Sequence, residues 1–184
     1  MGLGSLKDLY LDELGMLYDA EVQMIRTLPR LSEAAYAPEL RETLAKHCRE
    51  SRLHLERIDL IFTHWGERRP LRLSAGLAGI VQEADARLNQ PATDDARDAA
   101  IIGMAQRIEH YEIAAYGCAR TSARRLNRLD EARLLQETLD EEERTDGLLT
   151  EIAEAHISDT SRSRSDSRTA PPPSQFAPVP SEGI

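Results

Sequence analysis

Apolar residues recur at helical spacing along four long stretches of this chain. The first stripe starts near Ser5, where Asp8 three residues on makes a loose capping box. It reads Leu6, Tyr10, Leu14, Leu17, Glu21, Met24, Leu28, Leu31 and Ala35. Pro29, late in this run, predicts a kink or local loosening, because proline has no N–H for the carbonyl four residues back. The second stripe opens at Pro38, a residue suited to a first helical turn. It carries Leu40, Leu44, His47, Ser51, His54, Ile58, Ile61 and Trp65, stops at Gly66, and has Glu50 on its flank. A basic connector, GERRPLR at 66–72, leads to a shorter helical segment at 73–89. The third stripe follows Thr93, Asp94 and Asp95, which can cap a helix, and reads Ile102, Ala105, Glu109, Glu112, Tyr116, Ala119 and Leu126. The fourth, from Leu129 and Asp130, carries Leu135, Leu139, Glu142, Asp146, Leu149 and Ala153. Two short-loop hairpins joined by one long helical connection predict an all-α fold, an antiparallel four-helix bundle with a crossover between its second and third helices.

Ionisable residues interrupt all four stripes near a similar level: Glu21; then His47, Glu50 and His54; then Glu109 and Glu112; then Glu142 and Asp146. Spacings of three and four residues put such groups on one helix face. Burying an unpaired carboxylate costs so much that the group would protonate or turn outward, so something must compensate the charge. A pair of divalent metal ions inside a helical bundle is the most economical compensator for this many acids and imidazoles. The halves also align: Glu50 maps to Glu142 and His54 to Asp146 at a constant separation of 92 positions, and Glu21 to Glu112 at 91. A duplicated helical hairpin is the expectation.

Composition narrows the picture. With 184 residues, 30% of them charged and only 4% aromatic, the chain suits one soluble helical domain, taken as residues 1–157. Residues 158–184, rich in serine, arginine and proline, have little to bury and are expected to be a disordered tail. A net charge of -9 argues against nucleic acid as a partner. The absence of a long apolar run and of a signal-like N-terminus argues against a membrane and for a cytoplasmic location. Cys48 and Cys118 form no C-x-x-C pair, so both are expected to stay reduced.

Four blocks, YLDELGMLYDAEVQMIRTLPRL, HCRESRLHLERID, RDAAIIGMAQRIEHYEIAAYG and LLQETLDEEERTDGLLTEIA, stand in an order that resembles the YciE/YciF-type ferritin-like stress proteins of bacteria over roughly residues 5–156. The resemblance implies a ferritin-like four-helix bundle, usually dimeric, with a dinuclear metal centre and an association with stress responses. It maps motif positions onto Glu21, Glu50, Glu109, Glu112, Glu142 and Asp146, and His47 also fits. The general dinuclear rule supplies Glu-x-x-His twice. Here the second helix offers Glu50-x-x-x-His54 and the fourth Glu142-x-x-x-Asp146.

An oxygen-rich donor set with one or two imidazoles suits iron, manganese or, less often, zinc, with iron the first choice. Glu21, Glu50, Glu112 and Glu142 are the expected direct ligands, with His54 and Asp146 completing the set. Glu109 and His47 would ligate or orient the others. Tyr18, one turn before Glu21, and Tyr116, one turn after Glu112, could donate hydrogen bonds or an electron. A reduced iron pair would suit two-electron reduction of peroxide or O2, with an external reductant because the chain carries no rubredoxin-like cysteine pairs. The alternative is a non-catalytic dimerisation module without metal, in which Arg26, Arg52 or Arg107 reaches inward to neutralise the acids.

Overall fold

The computed structural model describes residues 4–167, with side chains described as far as Ala155. Five helices follow one another, α1 (Leu6–Ala34), α2 (Pro38–Trp65), α3 (Ala75–Leu88), α4 (Asp94–Arg125) and α5 (Leu129–Ser167), with no strand among the described residues. Their ends follow the local chemistry. Ser5 Oγ accepts the Asp8 N–H at 3.1 Å to start α1, and Thr93 Oγ1 accepts from Ala96 at 3.4 Å to start α4. Gly66 closes α2 at φ 61°, a left-handed conformation that glycine adopts without a Cβ clash, while Glu67 N–H reaches back to the Phe62 carbonyl at 3.3 Å. The fourth long helix runs to Ser167, past the boundary at 157 expected from composition. The rest of the expected tail lies outside the described residues.

Helix α1 packs along α2 and α4, and α5 packs along α4 and α2, so the four long helices close a ring of contacts. The short α3 lies against α1 and α4. The connector reaches it across α1, held by an Arg72–Asp12 ion pair. Asp19 then accepts the Ser74 N–H at 2.8 Å, and Ser74 Oγ shares a 2.7 Å hydrogen bond with Tyr111. Gly15 makes the close crossing possible: a Cβ there would lie 2.9 Å from Pro70 Cγ and 3.1 Å from its carbonyl oxygen.

Helix α1 passes through Pro29 to Ala34. Proline leaves the Ile25 carbonyl without its intrahelical donor, and Cys48 Sγ on α2 lies 3.8 Å from that oxygen.

The interior divides into two apolar clusters. One gathers Met24, Leu28, Leu31, Leu40, Leu44, Ile101, Met104, Ile108 and Leu149, and the other gathers Tyr10, Leu14, Leu17, Ile58, Ile61, Tyr116, Leu135 and Leu139. On each long helix a buried ionisable residue falls at the junction between them: Glu21 on α1, His47 and His54 on α2, Glu109 and Glu112 on α4, Glu142 on α5. The stripes are interrupted because a polar layer crosses the core.

Candidate metal centre

Four carboxylates and two imidazoles meet in that layer. Glu21, His54, Glu109, Glu112 and Glu142 are fully buried and His47 is 1% exposed. They form two groups. His47, Glu109, Glu112 and Glu142 make one, Glu21, His54 and Glu142 the other, and within each group one ligand atom per residue lies within 4.8 Å of the rest. Glu142 belongs to both. His54 Nδ1 lies 3.0 Å from Glu21 Oε1 and 3.0 Å from Glu142 Oε1. His47 Nε2 lies 3.2 Å from Glu109, 3.6 Å from Glu142 and 4.0 Å from Glu112. The Tyr116 hydroxyl donates to Glu21 Oε1 at 2.6 Å.

The electrostatics are those of a site short of positive charge. Burial, and then the neighbouring carboxylates of Glu142 for Glu109 and of Glu21 for Glu112, push these two acids well above the ordinary carboxylate range. Burial pushes Tyr116 up too, reinforced by Glu21. Burial opposes charge on Glu142, yet His47 and His54 hold its carboxyl below the usual value. Burial likewise opposes charge on His54, but Glu21, with hydrogen bonds to Glu141, Glu142 and Glu21, outweighs it and pushes the imidazole up to about 12. Neither oxygen of Glu109 or Glu112 has a hydrogen-bond partner, nor does Oε2 of Glu21. Among the described residues no lysine or arginine is fully buried to meet them. Unpaired buried carboxylates cost several kcal/mol each, so a donor set of this kind fits divalent cations.

Residues 5–161 match the family model described as Domain of unknown function (DUF892). The chain belongs to the DUF892 family. It is 34% identical over 154 residues to Protein YciF of Escherichia coli (strain K12), covering 83% of this chain and 93% of that one. Among solved structures, this DUF892 chain is similar to the E. coli stress protein YciF at 33% identity and a TM-score of 0.82, over 84% of this chain and 98% of that one. It is also similar to YcfI of Rhodopseudomonas palustris at 33% identity and a TM-score of 0.78, over 80% and 94% of the two chains. The protein XCC3681 of Xanthomonas campestris pv. campestris shares the fold at 17% identity and a TM-score of 0.68, over 88% and 99%.

Of the eight residues singled out by sequence in this DUF892 chain, six converge and two stand aside. Glu50, which flanks its stripe, pairs with Lys46 at 2.6 Å at the edge of α2. Asp146 sits one residue beyond the inward-facing Thr145, a rotation of about 100°. It faces His110 on α4 at 3.2 Å. The side-chain layer therefore does not follow the hairpin repeat: Glu142 is central, whereas Glu50, its counterpart, lies outside both groups. Nor do the arginines proposed as neutralisers reach in. Arg26 and Arg52 are exposed, and Arg107 pairs with Glu83 at 3.2 Å.

Sequence reasoning missed Glu141 and Arg57. Glu141 Oε2 lies 3.0 Å from His54 Nε2, and both its oxygens bind Arg57. Within the run DEEERTD, Glu141 is indistinguishable from solvated acids, and nothing along the chain pairs it with α2. His110 is largely exposed, and no helix among the described residues is long and apolar enough to cross a membrane.

Proposed function

We propose that this chain is a ferritin-like protein that holds two divalent metal ions in its core and serves the bacterial stress response. The observation that carries the reading is the pair of buried donor groups sharing Glu142. The ring of contacts among α1, α2, α4 and α5, with α3 in the long connection, supports an antiparallel ferritin-like bundle. Protein YciF, described as a stress protein, supports the physiological assignment.

His47, Glu109, Glu112 and Glu142 would hold one ion, and Glu21, His54 and Glu142 the other. Carboxylate-rich donors with two imidazoles favour iron, while manganese and zinc suit the same set. When bound, a reduced iron pair supplies two electrons, the chemistry needed to reduce peroxide or O2, with an external reductant to restore it. The protein's own contribution is positional. Apolar clusters on either side exclude bulk water from the layer, and the Tyr116 hydroxyl orients the Glu21 carboxylate. Glu142 offers one oxygen toward each histidine. The reading includes a cytoplasmic homodimer, for which the exposed Leu53 and Leu60 on one face of α2 offer apolar surface.

The test is elemental analysis of protein purified without added metal and after anaerobic Fe(II) loading, beside Glu142→Ala. Near two ions per chain, lost in the variant, supports the centre. No tight uptake by either protein sinks it. The second reading, a helical interaction module without metal, draws on YcfI, which is described provisionally as a structural protein. It requires that neutral replacements of Glu109 and Glu112 stabilise the fold while metal has no effect on melting.

A further inference from the structure

We propose that Glu141 is a positioning residue that fixes His54 with Nδ1 toward Glu21 and Glu142, so that one of the two metal positions depends on a support the other lacks. This rests on the metal-centre reading above. Successive residues of α5 bracket one imidazole: Glu142 Oε1 lies 3.0 Å from Nδ1, and Glu141 Oε2 lies 3.0 Å from Nε2. A neutral imidazole carries one proton, so a ring that gives its Nε2–H to a carboxylate presents a lone pair at Nδ1. Glu141 is itself clamped. Arg57 Nη2 donates to its Oε1 at 3.1 Å, Arg57 Nη1 to its Oε2 at 2.5 Å, and the same Nη1 reaches Thr138 Oγ1 at 3.0 Å. Thr138 is 1% exposed, so the clamp is anchored in packed structure.

His47 is built the other way round. It turns Nε2 toward Glu109, Glu112 and Glu142, while its Nδ1 is buried with no hydrogen-bond partner. The two histidines thus enter the layer by opposite ring nitrogens, and one is steered from outside by a carboxylate and guanidinium.

Zinc(II) titration with isothermal calorimetry, on wild type, Glu141→Ala and Glu141→Gln, tests this. In Glu141→Ala one of the two equivalents weakens by about tenfold to a hundredfold, the usual cost of losing an outer-sphere partner, and the other is unchanged. Glu141→Gln, whose amide oxygen accepts the same N–H, recovers most of the loss. In zinc-loaded wild type, long-range ¹H–¹⁵N spectra assign Nε2 of His54 as protonated and Nδ1 as the ligand, which a merely structural role for Glu141 does not require. That assignment decides the matter even if Glu141→Ala fails to fold by circular dichroism. Zinc on Nε2 of His54, or an Ala variant that titrates like wild type, overturns the positioning role alone. Wild type that takes up no zinc overturns the metal-centre reading and this inference with it.

Discussion

The thiol of Cys48 sits 3.8 Å from the carbonyl oxygen of Ile25, the acceptor that Pro29 leaves open one turn later in α1. A sulfur donor on α2 takes over a place normally filled by backbone in a helix that continues through its proline. Cys48→Ala is expected to cost about 1 kcal/mol, the scale of a lost hydrogen bond to a buried acceptor. In a Pro29→Ala background, where residue 29 regains an N–H, the same change should cost clearly less. Urea unfolding of the four proteins gives the coupling, and equal costs in both backgrounds would contradict the substitution.

Asp98, 2% exposed near the start of α4, accepts the N–H groups of Tyr36 at 2.7 Å and Ala37 at 2.8 Å. Replacing it with alanine removes two hydrogen bonds to a charged acceptor and should cost about 3 kcal/mol. Asp98→Asn, which keeps one acceptor oxygen, should lose roughly half as much. Denaturant midpoints at constant slope measure both.

Stability and cation uptake should run in opposite directions with pH. In metal-free protein, Glu109 and Glu112 are raised in the fold, by burial first and neighbouring carboxylates second. They therefore keep protons that the unfolded chain releases above the ordinary carboxylate range. His54 is raised to about 12, so its contribution is complete below its ordinary value of about 6.5 and is lost as pH climbs toward the folded one. His54 therefore makes metal-free protein less stable as pH rises from about 7 to about 10, and Glu109 and Glu112 do so as pH climbs out of the ordinary carboxylate range. A divalent cation displaces those protons, so the rise in Tm on adding zinc should grow over the same range. Differential scanning calorimetry with and without zinc reads both slopes, and parallel curves would contradict the scheme.

Gly15→Ala places a methyl against Pro70 and Arg72. The connector must lift, at an expected cost of about 1–3 kcal/mol. Limited proteolysis should then cut residues 66–74 faster than in wild type, while cleavage elsewhere is unchanged.

The helices were legible because each stripe carries its own punctuation. Ser5 and Thr93 cap their helices with side-chain oxygens, Pro38 supplies a backbone angle suited to a first turn and Gly66 a left-handed stop, and the structure places helix ends beside all four. The level of the polar layer was legible too, since a buried charge stands out against leucine. What periodicity could not resolve was rotation within a turn. Glu142 and Asp146 are four residues apart and look equivalent on a stripe, yet one enters the core and the other meets His110. The Glu141–Arg57 clamp was illegible for another reason. Its partners are separated by more than eighty residues, and the choice of which acid in a charged run faces α2 is made by packing. The tail expectation beyond Ser167 lies outside the described residues.

The latch formed by Asp98 has a bearing on the order of assembly. The turn between α1 and α2 is a local element, but the acceptor for its two N–H groups lies about sixty residues downstream. As the chain leaves the ribosome, the first hairpin is fully synthesised while its turn still lacks that partner. Until α4 packs, those two N–H groups are met by water, so the first hairpin receives the last hydrogen bonds of its own turn from the second half of the chain.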